Sequence, residues 1–251
     1  MWSETIGYRD YRHPYLKEFF AAVARDIPLA GSEDLLDLGC GTGEVVLGFA
    51  PFVASLTGMD LEQPMLAEAA RRARALGRDI RLIHAKVEDA PEDLGRFHLI
   101  TMGRAHWFMN TPATLARLDR WLLPGGHILV CMPRANADDA AWQRVYSATR
   151  RKWARGNMAD MIKLTADQFF QGTDFIPIKN VVVHGQRKLE LEHLLFRALG
   201  TADTTRAILG TDAEPMLADL RAALATHFRD GPIMEKHVTQ GRIFRRRGES
   251  R

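Results

Sequence analysis

The stretch Asp37-Leu-Gly-Cys-Gly-Thr-Gly43 constrains the fold of this chain more than any other segment. The apolar run from Asp34 to Leu38 predicts a short buried strand, and Gly43 to Ala50 has apolar residues at helical spacing. A glycine-rich turn between a strand and a helix lets a ligand approach the backbone closely. The sequence therefore predicts a ligand site at this turn.

Strands and helices continue to alternate along the rest of the chain. Further strands are predicted at Ser55–Asp60, Ile80–His84, Phe97–Met102, Ile128–Met132, Ile176–His184 and Ile233–Arg245. Helices are predicted at Tyr15–Ala24, Pro64–Leu76, Thr111–Leu122, Ala137–Arg155, Thr165–Phe170, Leu189–Leu199, Thr204–Ile208 and Pro215–Phe228. Because the strands are nearly continuous apolar runs, we predict an α/β fold with a doubly wound, mostly parallel seven-stranded sheet.

The rhythm of the elements changes after Met132, where helices are inserted between the late strands. We predict one domain over residues 1–251, with residues 1–132 as the cofactor-binding half and residues 133–251 as a substrate half that carries a helical lid. Trp142 and Trp153, with Met158 and Met161, fit an apolar lid over a substrate, although their helical spacing also fits ordinary core packing.

Composition indicates the compartment and the kinds of partner that we expect for this protein. Two isolated cysteines argue against a disulfide framework and favour the cytoplasm. No run reaches the roughly 18 apolar residues of a membrane span, and the start of the chain does not resemble a signal peptide. No set of residues with zinc or magnesium spacing is found, so no metal is expected. The net charge of +3 reflects an arginine-rich tail, which fits nucleic-acid binding or a solvated terminus.

Two carboxylates indicate what kind of ligand the turn binds. The glycines follow the spacing G-x-G-x-G, whereas a dinucleotide turn has G-x-G-x-x-G. Asp37 would repel a pyrophosphate but suits a ligand with an ammonium group, such as S-adenosylmethionine. Asp60 ends the next strand, where a carboxylate accepts hydrogen bonds from ribose hydroxyls. Each acid also has a structural interpretation, Asp37 as a cap and Asp60 as the N-cap of the helix that starts at Pro64.

These features, taken together, resemble the class I S-adenosylmethionine-dependent methyltransferases, in their small-molecule, type 11-like group. Leu35-Leu-Asp-Leu-Gly-Cys-Gly-Thr-Gly43 resembles the first motif of this family. Gly58-Met-Asp-Leu61 is similar to the second motif, with Met65, Leu66 and Ala69 following it. The family's adenine-binding loop is similar to His84-Ala-Lys-Val-Glu-Asp-Ala-Pro91. The turn before the family's fifth strand is similar to Leu122-Leu-Pro-Gly-Gly126. The resemblance implies a Rossmann-like fold and S-adenosyl-L-methionine as cofactor.

The resemblance also implies roles for single residues. Asp37 and Gly39 would hold the methionine end of the cofactor, Asp60 its ribose, and Leu61 and Val87 its adenine. Gly103 would offer its carbonyl to the ammonium group. Lys86 stands where the family often has Asp or Asn for the adenine amino group, and because lysine cannot accept a hydrogen bond, Glu88 or the backbone near Val87 takes that role. The predicted cofactor set is Asp37, Gly39, Cys40, Gly41, Thr42, Gly43, Asp60, Leu61, Met65, Val87, Glu88 and Gly103.

Two further segments point to a small-molecule acceptor. Ala105-His-Trp-Phe108, after the fourth strand, is similar to a segment of small-molecule methyltransferases that often ends in His-Trp, and Tyr11-Arg-His-Pro-Tyr15 resembles their Tyr-Arg-Pro-Pro-Tyr stretch. The acceptor would be a small acid, phenol, amine or natural product. His106 is the candidate general base, because the usual pKa of histidine lies near neutral pH, but it also fits a packing histidine. The predicted substrate-binding residues are Tyr11, His13, Tyr15, Arg104, Trp107 and Trp142.

Three other functions share some of these features. A nicotinamide-dependent reductase has a similar turn and acid, yet the nearest Tyr-x-x-x-Lys pattern, Tyr146 to Arg150, lacks the lysine. A catalytically inactive cofactor-binding module would keep the same turn. An RNA methyltransferase would use the basic tail, although no RNA-binding domain accompanies it. A small molecule is therefore the expected partner, and nucleic acid and membrane are not.

Overall fold

The computed structural model describes residues 2–91, 93–109, 111–136, 141–155 and 164–248. In these ranges seven strands form one sheet in the order β3-β2-β1-β4-β5-β7-β6. The pairs β1–β2, β1–β4, β2–β3 and β4–β5 are parallel. The predicted doubly wound, mostly parallel α/β fold is confirmed. The strands are β1 Asp34–Leu38, β2 Ser55–Asp60, β3 Arg81–His84, β4 Phe97–Gly103, β5 Leu122–Ala135, β6 Phe175–Leu189 and β7 Ile233–Arg246.

Helices connect these strands close to the predicted positions. They are α1 Lys17–Asp26, α2 Glu44–Gly48, α3 Gln63–Ala75, α4 Pro112–Trp121, α5 Ala141–Trp153, α6 Ala166–Phe169, α7 Leu191–Leu199, α8 Arg206–Leu209 and α9 Ala213–Leu224. The first residues of the helix predicted at Ala137 lie outside the described residues, as do Met158 and Met161. A 3-10 helix over Trp2–Tyr11 was not predicted, because this segment lacks an apolar period. No helix in the described ranges is long and apolar enough to cross a membrane.

The start of the fifth strand differs from the prediction. We predicted a turn at Pro124-Gly-Gly126 and a strand from Ile128, which was wrong, because β5 already begins at Leu122. Leu122 pairs with Phe97, and His127 pairs with Leu99, so the register shifts between these two pairs. The extra residues on β5 are accommodated in this irregular stretch, where Gly125 has a φ of 73°.

The chain divides into two compact units, each described by itself. Unit I comprises the described residues of Tyr15–Met132, Ile162–Val183 and Thr239–Arg251. Its sheet is covered on both faces, because Leu35 belongs to one apolar cluster, whereas its neighbour Leu36 belongs to the other. This burial on both faces explains why the strands read as continuous apolar runs.

Unit II comprises the described residues of Met1–Pro14, Pro133–Met161 and His184–Val238. Its largest cluster is built mainly by α7 and α9, which contribute Leu195, Leu199, Met216 and Leu220. A second cluster contains Trp142 together with leucines of β6, α7 and α9. Unit II is therefore mostly helical, and it has a core of its own.

Candidate active site

The glycine turn in unit I follows β1 directly and leads into α2. Gly39, Gly41 and Gly43 have φ angles of 66°, 53° and 81°, a region that side-chain-bearing residues rarely adopt. A Cβ atom on Gly39 would also lie 2.7 Å from the Cβ of Ala105. The first glycine is therefore required twice, by its backbone conformation and by the close approach of the segment after β4.

Asp37 lies in β1 just before this turn and is 1% exposed. Its carboxylate accepts a hydrogen bond of 2.6 Å from the Thr101 hydroxyl, and the backbone N–H of Val46 in α2 also interacts with it. Burial raises the pKa of Asp37 to about 7, because these donors carry no charge and only partly offset the loss of water. Asp37 therefore combines both interpretations, an acid beside the turn and a partner of the first turn of a helix.

Asp60 ties the glycine turn to the next connection in unit I. One carboxylate oxygen accepts from the Gly41 N–H at 2.8 Å, and the other accepts from the Glu62 N–H at 2.9 Å. Each carboxylate oxygen has a second lone pair, so the group keeps capacity for further donors. The adjacent side chain of Leu61 is 56% exposed, so an apolar surface lies beside this carboxylate. An acid next to an exposed apolar side chain suits a ribose that carries a flat base.

The residues predicted to surround adenine differ in their exposure and in their contacts. Val87 is 3% exposed and packs into an apolar core cluster of unit I, so its side chain is covered, whereas that of Leu61 is open. Glu88 accepts hydrogen bonds from the hydroxyls of Thr111 and Thr114 at 3.2 and 3.4 Å, at the start of α4. This contact directs one oxygen of Glu88 towards a helix N-terminus.

Cys40, Thr42 and Met65 complete the predicted cofactor set as buried residues of the turn and of α3. The backbone N–H of Cys40 donates to the Met59 carbonyl at 2.9 Å, and burial raises the pKa of its thiol. The carbonyl of Thr42 accepts from Arg72 at 2.6 Å. These contacts hold the shape of the turn and leave its backbone as the surface that a ligand would meet.

The end of β4 is tightly packed in unit I. A Cβ atom on Gly103 would lie 2.6 Å from Val45 and 2.8 Å from the Tyr15 hydroxyl. Arg104 follows with a φ of 58°, the one positive φ outside glycine in the described ranges. Its guanidinium contacts Glu44 at 2.6 Å and lies 5.3 Å from the centre of the Tyr15 ring. A strained cation at a strand end, held by an acid and an aromatic ring, is typical of a functional position.

His106 follows in a 3-10 turn over His106–Phe108 and is 4% exposed. Its Nε2 lies 2.8 Å from the Leu164 carbonyl and must donate to it, since a carbonyl only accepts. Nδ1 is buried and has no hydrogen-bond partner among the described residues. Burial lowers the pKa of His106, so the ring is neutral at pH 7 and carries its lone pair on Nδ1. Trp107 beside it is half-buried and contacts the His106 ring.

Three predicted substrate residues belong to unit II. The Tyr11 carbonyl accepts from Arg197 at 2.9 Å, and its ring packs on Phe196 of α7. His13 lies 3.1 Å from the Glu235 carboxylate. Trp142 is 6% exposed and packs in a leucine-rich cluster, as a core residue does. In the described ranges, no group of three His, Cys, Asp or Glu side chains is placed to hold a metal ion.

Comparison with known proteins identifies a domain in the first half of the chain. Residues 35–126 match the family model described as "Methyltransferase domain". Trans-aconitate 2-methyltransferase of Deinococcus radiodurans is 33% identical over 149 residues, which cover 57% of this chain and 55% of that protein. Residues 35–126 therefore form a methyltransferase domain, and the fold is that of class I S-adenosylmethionine-dependent methyltransferases. It spans about half the length of the curated relatives that head the comparison.

Longer matches extend the likeness beyond the methyltransferase domain. Juvenile hormone acid O-methyltransferase of Drosophila melanogaster is 26% identical over 84% of this chain and 74% of that protein. A methyltransferase of Thiobacillus denitrificans, solved with S-adenosyl-L-homocysteine, is 21% identical with a TM-score of 0.55 and covers 93% of each chain. One of Geobacter sulfurreducens, solved with the same ligand, is 18% identical with a TM-score of 0.56 and covers 94% of this chain and 93% of that one. These structures share the Rossmann-like methyltransferase fold.

Sequence reasoning missed several hydrogen-bond and ion-pair partners in both units. Thr101, which binds Asp37, sits opposite it in the register of β1 and β4, a pairing that becomes visible once the strand order is known. Glu44, the partner of Arg104, is sixty residues away in sequence. The ion pairs around Glu235 join residues from β6, α7 and β7, and no local sequence pattern connects them.

Proposed function

We propose that this protein transfers a methyl group from S-adenosyl-L-methionine to an oxygen, nitrogen or carbon atom of a small-molecule acceptor. One observation carries this proposal above the others. The three left-handed glycines form a turn whose middle N–H is tied to Asp60, and the exposed Leu61 lies next to that acid. Such a turn exposes backbone to a ligand, and the acid with its apolar neighbour suits a nucleoside.

The cofactor would use the predicted set of unit I residues. Asp60 has the acceptor capacity to bind both ribose hydroxyls, and Leu61 offers a surface for one face of adenine. Asp37 supplies a negative potential beside the turn, which favours the ammonium and sulfonium groups. Gly103 would contribute its carbonyl at the end of β4. In this arrangement Val87 and Met65 support the site from the core, and Glu88 lies at its adenine side.

Methyl transfer depends more on the alignment of donor and acceptor than on acid–base catalysis. Methyl transfer is an in-line displacement at the sulfonium-bound carbon, and the leaving thioether is neutral. Good orientation of the two reactants contributes up to about 7–11 kcal/mol in well-aligned systems. A general base adds roughly 10²–10⁴-fold when the acceptor must lose a proton.

His106 is the proposed base. Its Nε2 is committed to the Leu164 carbonyl, which leaves the Nδ1 lone pair as the proton acceptor. The lowered pKa keeps this lone pair available at neutral pH, because burial disfavours the protonated ring. Tyr15, Arg104 and Trp107 are proposed to bind the acceptor in unit I.

The same proposal includes the compartment, the domain organisation and the partner of the protein. Two free, buried cysteines accord with a reducing compartment, and we assign the protein to the cytoplasm as one domain over residues 1–251. Residues 1–132 would bind the cofactor and residues 133–251 would serve the substrate. In the tail, Arg242 and Arg246 pair with Asp167 and Asp119 at 3.0 and 2.9 Å. These pairs reduce the positive charge available to a nucleic acid, and they support a small-molecule partner.

Equilibrium binding tests the proposal directly. The protein is expected to bind S-adenosylmethionine and not NADPH, and to methylate one member of a panel of small acids, phenols and amines that includes trans-aconitate. Gly39→Ala should weaken cofactor binding at least about tenfold, because the new Cβ meets Ala105 in a left-handed backbone.

Gly77→Ala is the matched control, since Gly77 has a φ of 63° and open space around it. This variant carries the same backbone strain without the contact, and it should bind the cofactor within about twofold of the wild type. Binding of NADPH in place of S-adenosylmethionine, or equal losses in the two variants, would count against the proposed site.

A further inference from the structure

Unit II buries one carboxylate inside a group of cations and imidazoles. Glu235 in β7 is 0% exposed. Arg197 donates to both of its oxygens at 2.6 and 2.8 Å, and Arg187 donates from Nε at 2.8 Å. His13 approaches the same carboxylate at 3.1 Å. We call Glu235, Arg197, Arg187, His13 and His237 the Glu235 cluster.

The charges of this cluster do not balance. Two guanidinium groups surround a single carboxylate, and burial lowers the pKa of His13 and of His237, so both rings are neutral at pH 7. The nearby Asp203 pairs with Arg150 at 2.7 Å and is already neutralised. One positive charge therefore has no counter-charge within the cluster. A buried charge without a counter-charge is costly, so the cluster is suited to an anion.

Hydrogen-bond donors remain in the same place. Arg187 uses Nε for Glu235 and Nη1 for the Arg12 carbonyl at 3.2 Å, but its Nη2 is buried without a partner among the described residues. His237 is 2% exposed; neither ring nitrogen meets the geometry of a full hydrogen bond among the described residues, although the Glu235 backbone interacts with the ring. The charge of Arg187 acts on His237, and the rings of His13 and His237 lie 6.5 Å apart. The unused donors thus belong to one cluster.

The cluster also reaches solvent at one edge. The side chains of His13 and Arg187 are 20% and 19% exposed, whereas Glu235 and His237 are fully covered. A small anion would therefore approach the cluster at the partly exposed side chains of His13 and Arg187. Buried polar groups in native proteins nearly always have partners, and two unpartnered groups beside an excess charge are an exception that a bound ligand explains.

We propose that Arg187 and His237 bind a carboxylate group of a small acid in unit II. One carboxylate matches the single excess positive charge, and its two oxygens match one N–H from each residue. A phosphate would leave oxygens without donors, because it has more oxygen atoms than the cluster has unused N–H groups. The carboxylate site in unit II stands independently of the proposed function.

Titration calorimetry with succinate tests the site, with uncharged succinamide and inorganic phosphate as comparison ligands. The intact protein should bind succinate and not succinamide, and it should bind phosphate more weakly. His237→Leu should weaken succinate binding at least about tenfold, the effect of losing one charge-assisted hydrogen bond. Because neither ring nitrogen of His237 makes a full hydrogen bond among the described residues, the melting temperature of the His237→Leu protein should stay close to that of the wild type.

His184→Leu is the matched control, since His184 is an exposed histidine of the neighbouring strand β6 in the same unit. It should bind succinate within about twofold of the wild type. Arg187→Gln removes the excess charge itself and should abolish the binding. Equal succinate affinity in His237→Leu and the wild type would overturn the proposal, as would equal binding of succinamide.

The same titrations separate the two proposals. Binding of S-adenosylmethionine is measured on each variant in parallel, because the cofactor residues belong to unit I. Succinate binding without S-adenosylmethionine binding would keep the carboxylate site and refute the proposed function. Cofactor binding with no response to succinate in any variant would refute the carboxylate site alone.

Discussion

Asp37 in unit I and Glu235 in unit II are both buried carboxylates, yet their surroundings are opposite. Asp37 meets a hydroxyl and a backbone N–H, and burial raises its pKa to about 7. Burial would also raise the pKa of Glu235, but hydrogen bonds from His13 and Arg197 outweigh it and hold that pKa well below its usual range. The same degree of burial thus leaves one acid readily protonated and the other firmly ionised.

This difference shows that the partners of a buried group decide its charge. In its ionised form Asp37 has no cationic hydrogen-bond partner among the described residues, which suits a ligand with ammonium and sulfonium groups. Around Glu235 the arginines exceed the carboxylate, which suits a ligand with a carboxylate. The two units are therefore complementary to ligand groups of opposite charge, and removing each acid should have opposite consequences for stability.

Glu235→Gln should produce the largest effect. The substitution leaves two buried guanidinium groups without a counter-charge, and it should lower the free energy of unfolding by about 3–5 kcal/mol at pH 7. Because the pKa of Glu235 is lowered from 4.5, its stabilisation is present above that pH and is lost as the pH falls below it. Urea unfolding between pH 3 and pH 7 measures both effects.

Glu214→Gln provides the control for this variant. Glu214 pairs with Arg206 in the same unit, but its side chain is 71% exposed, so its removal should change the free energy of unfolding by less than about 0.5 kcal/mol. A Glu235→Gln protein as stable as Glu214→Gln would show that the cluster does not depend on this charge, and the contrast with Asp37 would disappear.

Asp37→Asn should act in the other direction. The pKa of Asp37 is raised from 3.8 to about 7, so the stability of the ligand-free protein falls as the pH rises from about 4 to 7. Asparagine keeps an acceptor for Thr101 but carries no charge. The variant should therefore be more stable than the wild type by up to roughly 4 kcal/mol at pH 8, from about three pKa units at 1.36 kcal/mol each.

Urea unfolding at pH 5 and pH 8 measures this gain, which should be smaller at pH 5. Asp34→Asn is the control in the same strand, because Asp34 is 45% exposed and should show little pH-dependent gain. S-adenosylmethionine binding should weaken in Asp37→Asn despite the greater stability. An Asp37→Asn protein that is less stable than the wild type at pH 8 would contradict the account given for this acid.

Local patterns in the sequence predict unit I well. Strands β1 and β2 begin and end at the predicted residues, because continuous apolar runs are bounded by the glycine turn and by Asp60. The capping box at Thr165 and Gln168 likewise begins α6 at Ala166, one residue after the predicted start of this helix at Thr165. Each of these signals involves neighbours in sequence, so the chain carries them without knowledge of the fold.

Long-range contacts could not be predicted in the same way. Arg197 and Glu235 are 38 residues apart, and nothing in either segment indicates that they meet. The burial of Val87 and the hydrogen bond from His106 to Leu164 also depend on packing between distant segments. Sequence identifies which residues could perform chemistry at the site, whereas tertiary packing decides which of their atoms are free.

His106 makes the contrast between the two units sharper, because its ring has a neutral partner, whereas His13 faces a carboxylate. His106→Gln keeps an N–H donor for the Leu164 carbonyl, but its amide oxygen is not basic enough to replace Nδ1 as a proton acceptor. If His106 is the base, turnover on the acceptor found by the panel should fall about 10²-fold or more in His106→Gln and His106→Ala alike, with cofactor affinity nearly unchanged. Turnover is measured across pH 5–9, where loss of the base should also remove the acidic limb of the profile. Recovery of turnover in His106→Gln but not in His106→Ala would instead assign His106 to positioning Leu164, since only the hydrogen bond would then matter.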